Sequence, residues 1–183
     1  CACCRTNDEK RESMSYILNI DTATEHASVC ISQNDKVLAM RENIDQKNHA
    51  SFIQPAIESL VTESGIALRE LAAVAVTGGP GSYTGIRVGM ATAKGICYTL
   101  HKPLIIINTL EVMALAAVQE EPNTDLLHCP LIDARRMEVF TAIYNYTLQP
   151  ILQPQPMVLD SQSFATYLQK QPILFTGSGV EKL

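Results

Sequence analysis

The sequence predicts an α/β protein made of two copies of one supersecondary unit, the second copy shorter than the first. Two pattern matches point to the duplication. A strand ending in Asp, then a short turn and a returning strand, occurs at Asn19-Ile20-Asp21-Thr22-Ala23 and again at Leu131-Ile132-Asp133-Ala134-Arg135. Later in each copy a strand runs into Thr-Gly, at Val76-Thr77-Gly78-Gly79 and at Phe175-Thr176-Gly177-Ser178. The third observation is the alternation of strand-period and helix-period apolar runs between these landmarks.

In order, 16–20 reads as a strand ending at Asp21, and 28–33 and 36–41 as two more, joined by a tight Asn34-Asp35 turn. A helix follows over 49–64. Phe52, Ile53, Ala56, Ile57, Leu60 and Val61 share one face, and Gly65 stops the helix. Pro55 lies inside the pattern and is expected either to kink the helix or to move its start. Residues 72–76 form a buried strand that enters a glycine-rich loop, with a helix over 86–100 behind it. A strand at 103–107 and a helix at 109–120 close the first copy. The polar break at 122–125 is the expected lobe boundary, giving lobes of 14–121 and 122–183. In the second lobe, strands are expected at 129–132 and 137–146. A Gln/Pro-rich loop at 149–156 follows, then a weaker strand near 157–159, a helix at 161–170 and a strand at 172–176.

A three-stranded meander that continues through right-handed crossovers into parallel strands, and then repeats, is the actin/Hsp70/sugar-kinase architecture of two ribonuclease H-like lobes. The second lobe stops after its fourth strand, so a final helix-strand-helix portion is expected to be missing. In this architecture the Asp turns and the glycine loop face the cleft between lobes. There Asp suits a metal-bound nucleotide, and Gly lets backbone N–H groups approach phosphate.

Composition narrows the function classes. The chain has 183 residues, 46% of them hydrophobic, no Trp and a net charge of −5. Lys10-Arg11 and Arg135-Arg136 are the adjacent basic pairs, so no basic face for gripping nucleic acid is visible. No apolar run is long enough for a membrane span. The first thirteen residues are polar and charged, unlike a signal peptide, and the chain is expected in the cytoplasm. Cys1 and Cys4 have C-x-x-C spacing without the second pair or His of a zinc site. Residues 1–13 read as a disordered or non-native tail, with the pattern opening at Met14. Cys30, Cys97 and Cys129 read as small buried apolar residues.

The stretch from Thr77 to Gly85 fits neither the P-loop nor the dinucleotide or nucleophile-elbow pattern. It is either a tight strand-to-helix turn or a phosphate-facing loop built from Gly79, Gly81 and Ser82. Gly85, Gly89 and Ala93 then form a ridge of tiny residues. Interior glycines weaken a helix, so close packing must benefit, either inside the lobe or at a subunit interface. No two of His26, His49, His101 and His128 have metal-pair spacing on a helix. His49 either caps or binds at its helix start or is a partly exposed surface residue. Asp21 and Asp133 are either a carboxylate pair across the cleft or separate turn caps. Arg135-Arg136 either grips phosphate or is solvated beside Glu138.

Together, Asn19-Ile20-Asp21-Thr22-Ala23, Gly79-Pro80-Gly81-Ser82-Tyr83-Thr84-Gly85-Ile86-Arg87-Val88-Gly89, Ala93-Lys94-Gly95 and Asp133-Ala134-Arg135 with Glu138-Val139-Phe140 closely resemble the TsaB family. The resemblance runs from about Met14 to Gly179. That family is similar to the threonylcarbamoyl transferase TsaD, whose Asn-His-x-Glu-x-His segment holds the catalytic metal. The matching stretch here is Asn108-Thr109-Leu110-Glu111-Val112-Met113, with Thr109 and Met113 in the two His places. Neither replaces imidazole as a ligand in such a site. The resemblance implies a non-catalytic subunit that supports a TsaD-type transferase, together with a TsaE-type ATPase. The assembly would place the threonylcarbamoyl group on N6 of adenosine 37 in tRNA, and tRNA would be met only through the complex. It also implies a partner or homodimer interface on the 49–64 and 86–100 helices. His49, Phe52, Ile53, Ala56, Gly85, Arg87, Gly89 and Ala93 are its expected residues. Asp21, Gly79, Gly81, Ser82, Asp133 and Arg135 would be cleft-facing relics, with at most weak or interface-dependent ATP or ADP. The competing expectations are an ATP-dependent small-molecule phosphotransferase of the same fold and, opposed by the missing His pair, a metallopeptidase.

Overall fold

The computed structural model describes residues 15–34, 36–44 and 48–183. The expectations for residues 1–13 and Met14, and the Asp35 half of the first turn, lie outside the described residues.

Two sheets repeat one topology. In the first copy, β1 (Tyr16–Asp21), β2 (Ala27–Gln33) and β3 (Lys36–Asn43) form an antiparallel meander. Then come α1 (His49–Ser64), β4 (Leu71–Thr77), α2 (Tyr83–Leu100), β5 (Leu104–Ile107) and α3 (Thr109–Glu120). The sheet order is β3-β2-β1-β4-β5, with β4 parallel to β1 and β5 parallel to β4. In the second copy, β6 (Leu127–Asp133), β7 (Glu138–Tyr144) and β8 (Pro150–Val158) form the meander, followed by α4 (Ala165–Leu168) and β9 (Ile173–Thr176). Their order, β8-β7-β6-β9 with β9 parallel to β6, is the first sheet's order without the fifth strand. This is the duplicated actin-like α/β fold.

Strand alternation decides which side chains form the core. Leu18, Ile20, Val29, Ile31, Val74 and Val76 point to one face of the first sheet, where Ile53, Ile57 and Leu60 of α1 and Ala93 and Cys97 of α2 cover them. Gly65, at φ 68°, ends α1 by donating its N–H to the Val61 carbonyl at 3.1 Å. Pro55 sits inside α1 without ending it. In the second copy, Leu127, Cys129, Leu131, Val139 and Ile143 pack with Phe164 and Leu159. Phe164 meets Phe175 edge-on at 5.1 Å.

Several boundaries differ from those the sequence predicts, each for a local reason. Helix α2 begins at Tyr83 rather than 86 because the Ser82 hydroxyl accepts from the Gly85 N–H and caps it. The Gln/Pro-rich 149–156 stretch is not a loop but most of β8. Its prolines lack a ladder donor, and an edge strand tolerates that. Helix α4 is shorter than 161–170, because Asp160 and Ser163 exchange side-chain bonds with the backbone and hold 160–163 in a turn. Cys30 is half-buried rather than buried, since it points to the opposite face of the first sheet from Ile31. Finally, α3 packs across the polar break onto the second sheet. Its Leu110 and Ala114 are buried against Ile132, Ala142 and Tyr144.

Candidate functional site

The chemistry-bearing residues collect around the β1–β2 turn. Asp21 ends β1 and accepts two hydrogen bonds on Oδ1, from the Ala23 N–H at 3.0 Å and the Thr77 hydroxyl at 2.8 Å. The first closes an Asx turn; the second ties β1 to the end of β4. Thr22, fully buried, donates its hydroxyl to the Gly85 carbonyl at 2.8 Å. Ser82 donates its N–H to the Ala23 carbonyl at 2.6 Å. From the other side, His49 Nε2 donates to the Glu25 carbonyl at 3.1 Å. One turn is therefore gripped by β4, α2 and α1 together.

Glycines make that grip possible. A Cβ on Gly81 would overlap the Ala23 carbonyl, and one on Gly85 would overlap the Thr22 carbonyl, each closer than 3.0 Å. At Gly89 the clash would be with the Thr22 hydroxyl. Gly81 also sits at φ 152°, where side-chain residues are strained. The small-residue ridge of α2 therefore faces inward.

Six of the eight expected interface residues are buried within the chain itself. Gly85, Gly89 and Ala93 are buried in their own lobe, as are Ile53 and Ala56 in the core under α1. His49 is not a surface residue: it is 3% exposed and pins the turn. Of the eight, Arg87 is exposed and Phe52 half-buried. The periodicity that identified the ridge was right, but it does not say which way a ridge points.

The glycine loop makes a tight strand-to-helix turn, and four of its N–H groups are engaged within the chain: Gly78 on the Ile107 carbonyl, Ser82 on Ala23, Gly85 on Ser82 Oγ and Ile86 on the Ser82 carbonyl. Gly79 accepts from the Thr109 N–H at 2.9 Å, which joins the loop to the start of α3.

The second copy repeats the Asp device in the open. Asp133 Oδ1 accepts from the Arg135 N–H at 2.6 Å and from Lys182 Nζ at 2.6 Å. Lys182, followed by the Arg135 N–H, holds the Asp133 carboxyl below the ordinary carboxylate range. Lys182 also donates to the Glu138 carbonyl at 2.9 Å. Asp21 and Asp133 thus each cap their own turn. Arg135 and Arg136 lie exposed at positive φ, 72° and 49°. Sequence reading missed Thr22 and Lys182; the first follows Asp21 directly, but the second gave no local signal.

Thr109 is buried at the N-terminus of α3, which Asn108 caps through the Leu110 N–H at 2.9 Å. Met113, one turn on, presses its methyl group toward Gly177, where a Cβ would strike both Met113 and the Leu131 carbonyl. Among the described residues no group of three or more His, Cys, Asp or Glu stands together. No helix among them is long and apolar enough to cross a membrane.

A duplicated sheet with an Asp-capped turn in each copy defines an actin-like architecture, and the family model "TsaD: tRNA N6-adenosine threonylcarbamoyltransferase" matches residues 36–161. Within that class, the "tRNA threonylcarbamoyladenosine biosynthesis protein TsaB" of Bacillus subtilis is 32% identical over 88% of this chain and 70% of its own length. The Escherichia coli protein of the same name is 38% identical over 70% of this chain and 54% of its own length. The solved structure "YeaZ from Pseudomonas aeruginosa" superposes with a TM-score of 0.79 at 28% identity, covering 93% of this chain and 80% of that one. The chain belongs to the TsaB family. Its match spans between about half and seven-tenths of the TsaB relatives' lengths.

Proposed function

We propose that this chain serves as a non-catalytic subunit in making N6-threonylcarbamoyladenosine in tRNA, pairing with a TsaD-type transferase. The observation that carries the reading is what fills the two places where the resemblance puts the transferase's metal-binding histidines. Thr109 is buried with its hydroxyl unpartnered, and Met113 is pressed against Gly177. A hydroxyl and a thioether are poor substitutes for imidazole in such a site. The names of the relatives supply the pathway.

Docking falls to the outward faces of α1 and α2. Tyr83 and Tyr98 are 74% and 86% exposed on α2, and Arg87 lies over the Tyr83 ring at 5.2 Å. A groove of about 450 Å³ lies along α2, lined by Leu68, Ala91, Gly95, Ile96 and Leu100 among others. Aromatic and Arg side chains beside a shallow apolar groove suit a protein partner. The same face fits a second copy, so a homodimer would compete with the transferase pair. A TsaE-type ATPase and tRNA are reached through the complex, since the net charge of −5 offers tRNA little. Any ATP or ADP is weakly held or depends on that interface. The phosphotransferase alternative is disfavoured, because Asp21 and Asp133 are engaged as turn caps.

The test is tRNA modification from threonylcarbamoyl-AMP by purified transferase and pathway ATPase, with and without the natural chain. Modified adenosine that forms only when the chain is added, and never with the chain alone, is the expected result. Equal modification in its absence contradicts the proposal.

A further inference from the structure

His128 is wholly buried, and among the described residues neither of its ring nitrogens has a hydrogen-bond partner. It lies near the start of β6, which runs between β7 and β9. Side chains alternate along a strand. Leu127, Cys129 and Leu131 point into the cluster around Phe164, so His128 and Ile132 point the other way, toward α3. Tyr144 stands directly opposite His128 on β7 and belongs to the cluster that α3 covers. The ring is therefore held in the seam between α3 and the second sheet.

Nothing around the ring favours its charged form. Tyr144 is 3% exposed, and burial, then Glu111, pushes its phenol up, so it stays neutral. Strand β9 on the other side consists of Ile173, Leu174, Phe175 and Thr176, with no charged group. On α3 and at its end, Glu111, Glu120 and Glu121 are exposed, as is Asp125 in the break before β6. Burial alone shifts the imidazole, and it shifts it down. A buried cation without a partner is far less stable than a buried neutral ring, so a protonated His128 must reach water.

The easiest way out is past α3. That helix buries Thr109, Leu110, Ala114 and Ala117, one large apolar side chain and two alanines, whereas α1 buries Ile53, Ile57 and Leu60. Lifting α3 uncovers the ring and breaks no strand pairing of β6. We propose that His128 is an acid-sensitive latch, whose protonation releases α3 from the second sheet and loosens the coupling between the two copies while each sheet keeps its strands. The sign follows from the direction of the shift. The ordinary value is 6.5 and burial lowers it, so the closed seam has its full stability above 6.5 and loses it as pH falls below that toward the lowered value.

The test is amide exchange in the natural chain, read by peptide mass as protection factors. One proton taken up on opening predicts that protection across α3 falls by about ten-fold between about pH 7.5 and about pH 5.5, while α1 and α2 keep theirs. His128→Leu fills the seam with an apolar side chain and should remove that fall. Should the variant not fold, NMR titration of the His128 ring in the natural chain decides the matter: at pH 6.5 the ring should still be mostly neutral. Protection across α3 that ignores pH, an equal fall across α1, the same fall in His128→Leu, or a ring half-protonated at 6.5 or above would overturn the proposal.

Discussion

The turn after β1 and the turn after β6 carry the same Asp and are held by different forces. Around Asp21 the restraint is shape. Thr22 is buried, Gly81 and Gly85 leave room for its carbonyl and that of Ala23, and His49 closes the other side. Around Asp133 the restraint is charge. Its carboxylate is exposed, and Lys182 reaches it from beyond Gly179. The Asx turn is present in both copies, but the residue after the Asp is fully buried only in the first, as Thr22, while Ala134 is half-buried. A turn fixed by packing fails when a methyl group is added, and one fixed by charge fails when the pH or a lysine changes.

The sharpest way to break this contrast is Gly85→Val. The new side chain has no space against Thr22, and a loss of about 3 kcal/mol or more in urea unfolding is expected. Thr77→Val comes next. It removes one of Asp21's two hydrogen bonds while keeping the shape, and should cost about 1 kcal/mol by the same measurement. Elsewhere on α2, Gly95 is exposed and a Cβ there meets nothing within 4 Å. Gly95→Ala should therefore stabilise, by about 0.5–1 kcal/mol. The smallest effect belongs to the exposed turn. Lys182 lowers the Asp133 pKa, so the pair's stabilisation is present above the ordinary carboxylate value of 3.8 and lost as pH falls through the lowered one. Lys182→Met should lower the unfolding midpoint slightly at neutral pH and by less in strong acid, where only its bond to the Glu138 carbonyl is lost. A wild-type-like midpoint at every pH would remove charge as the second turn's restraint.

The sequence made the duplication readable because Asp at a strand end and Thr-Gly at another are local signals. Helix α1 was readable to the residue, since its apolar face, His49 and Gly65 all agree. Direction was not readable. Gly85, Gly89 and Ala93 stood out as a ridge, but whether a ridge faces Thr22 or a partner depends on how β1 and α2 pack. Nor was the crossing of α3, because Leu110, Val112 and Ala114 would suit either sheet. Lys182 and Asp133 meet across 49 residues of chain, a pairing no local pattern announces. Strand β8 was hidden by its prolines, which signal a loop unless the strand is known to be an edge.

Partner docking is proposed for the outward faces of α1 and α2, while the glycine ridge of α2 packs within its own lobe. The most direct measurement is the dissociation constant of a TsaD-type transferase for the natural chain and for Tyr98→Asp and Arg87→Glu, with unfolding midpoints recorded alongside. The account predicts binding weakened by about ten-fold or more for each outward variant, at unchanged stability. Undiminished binding by both outward variants would contradict it.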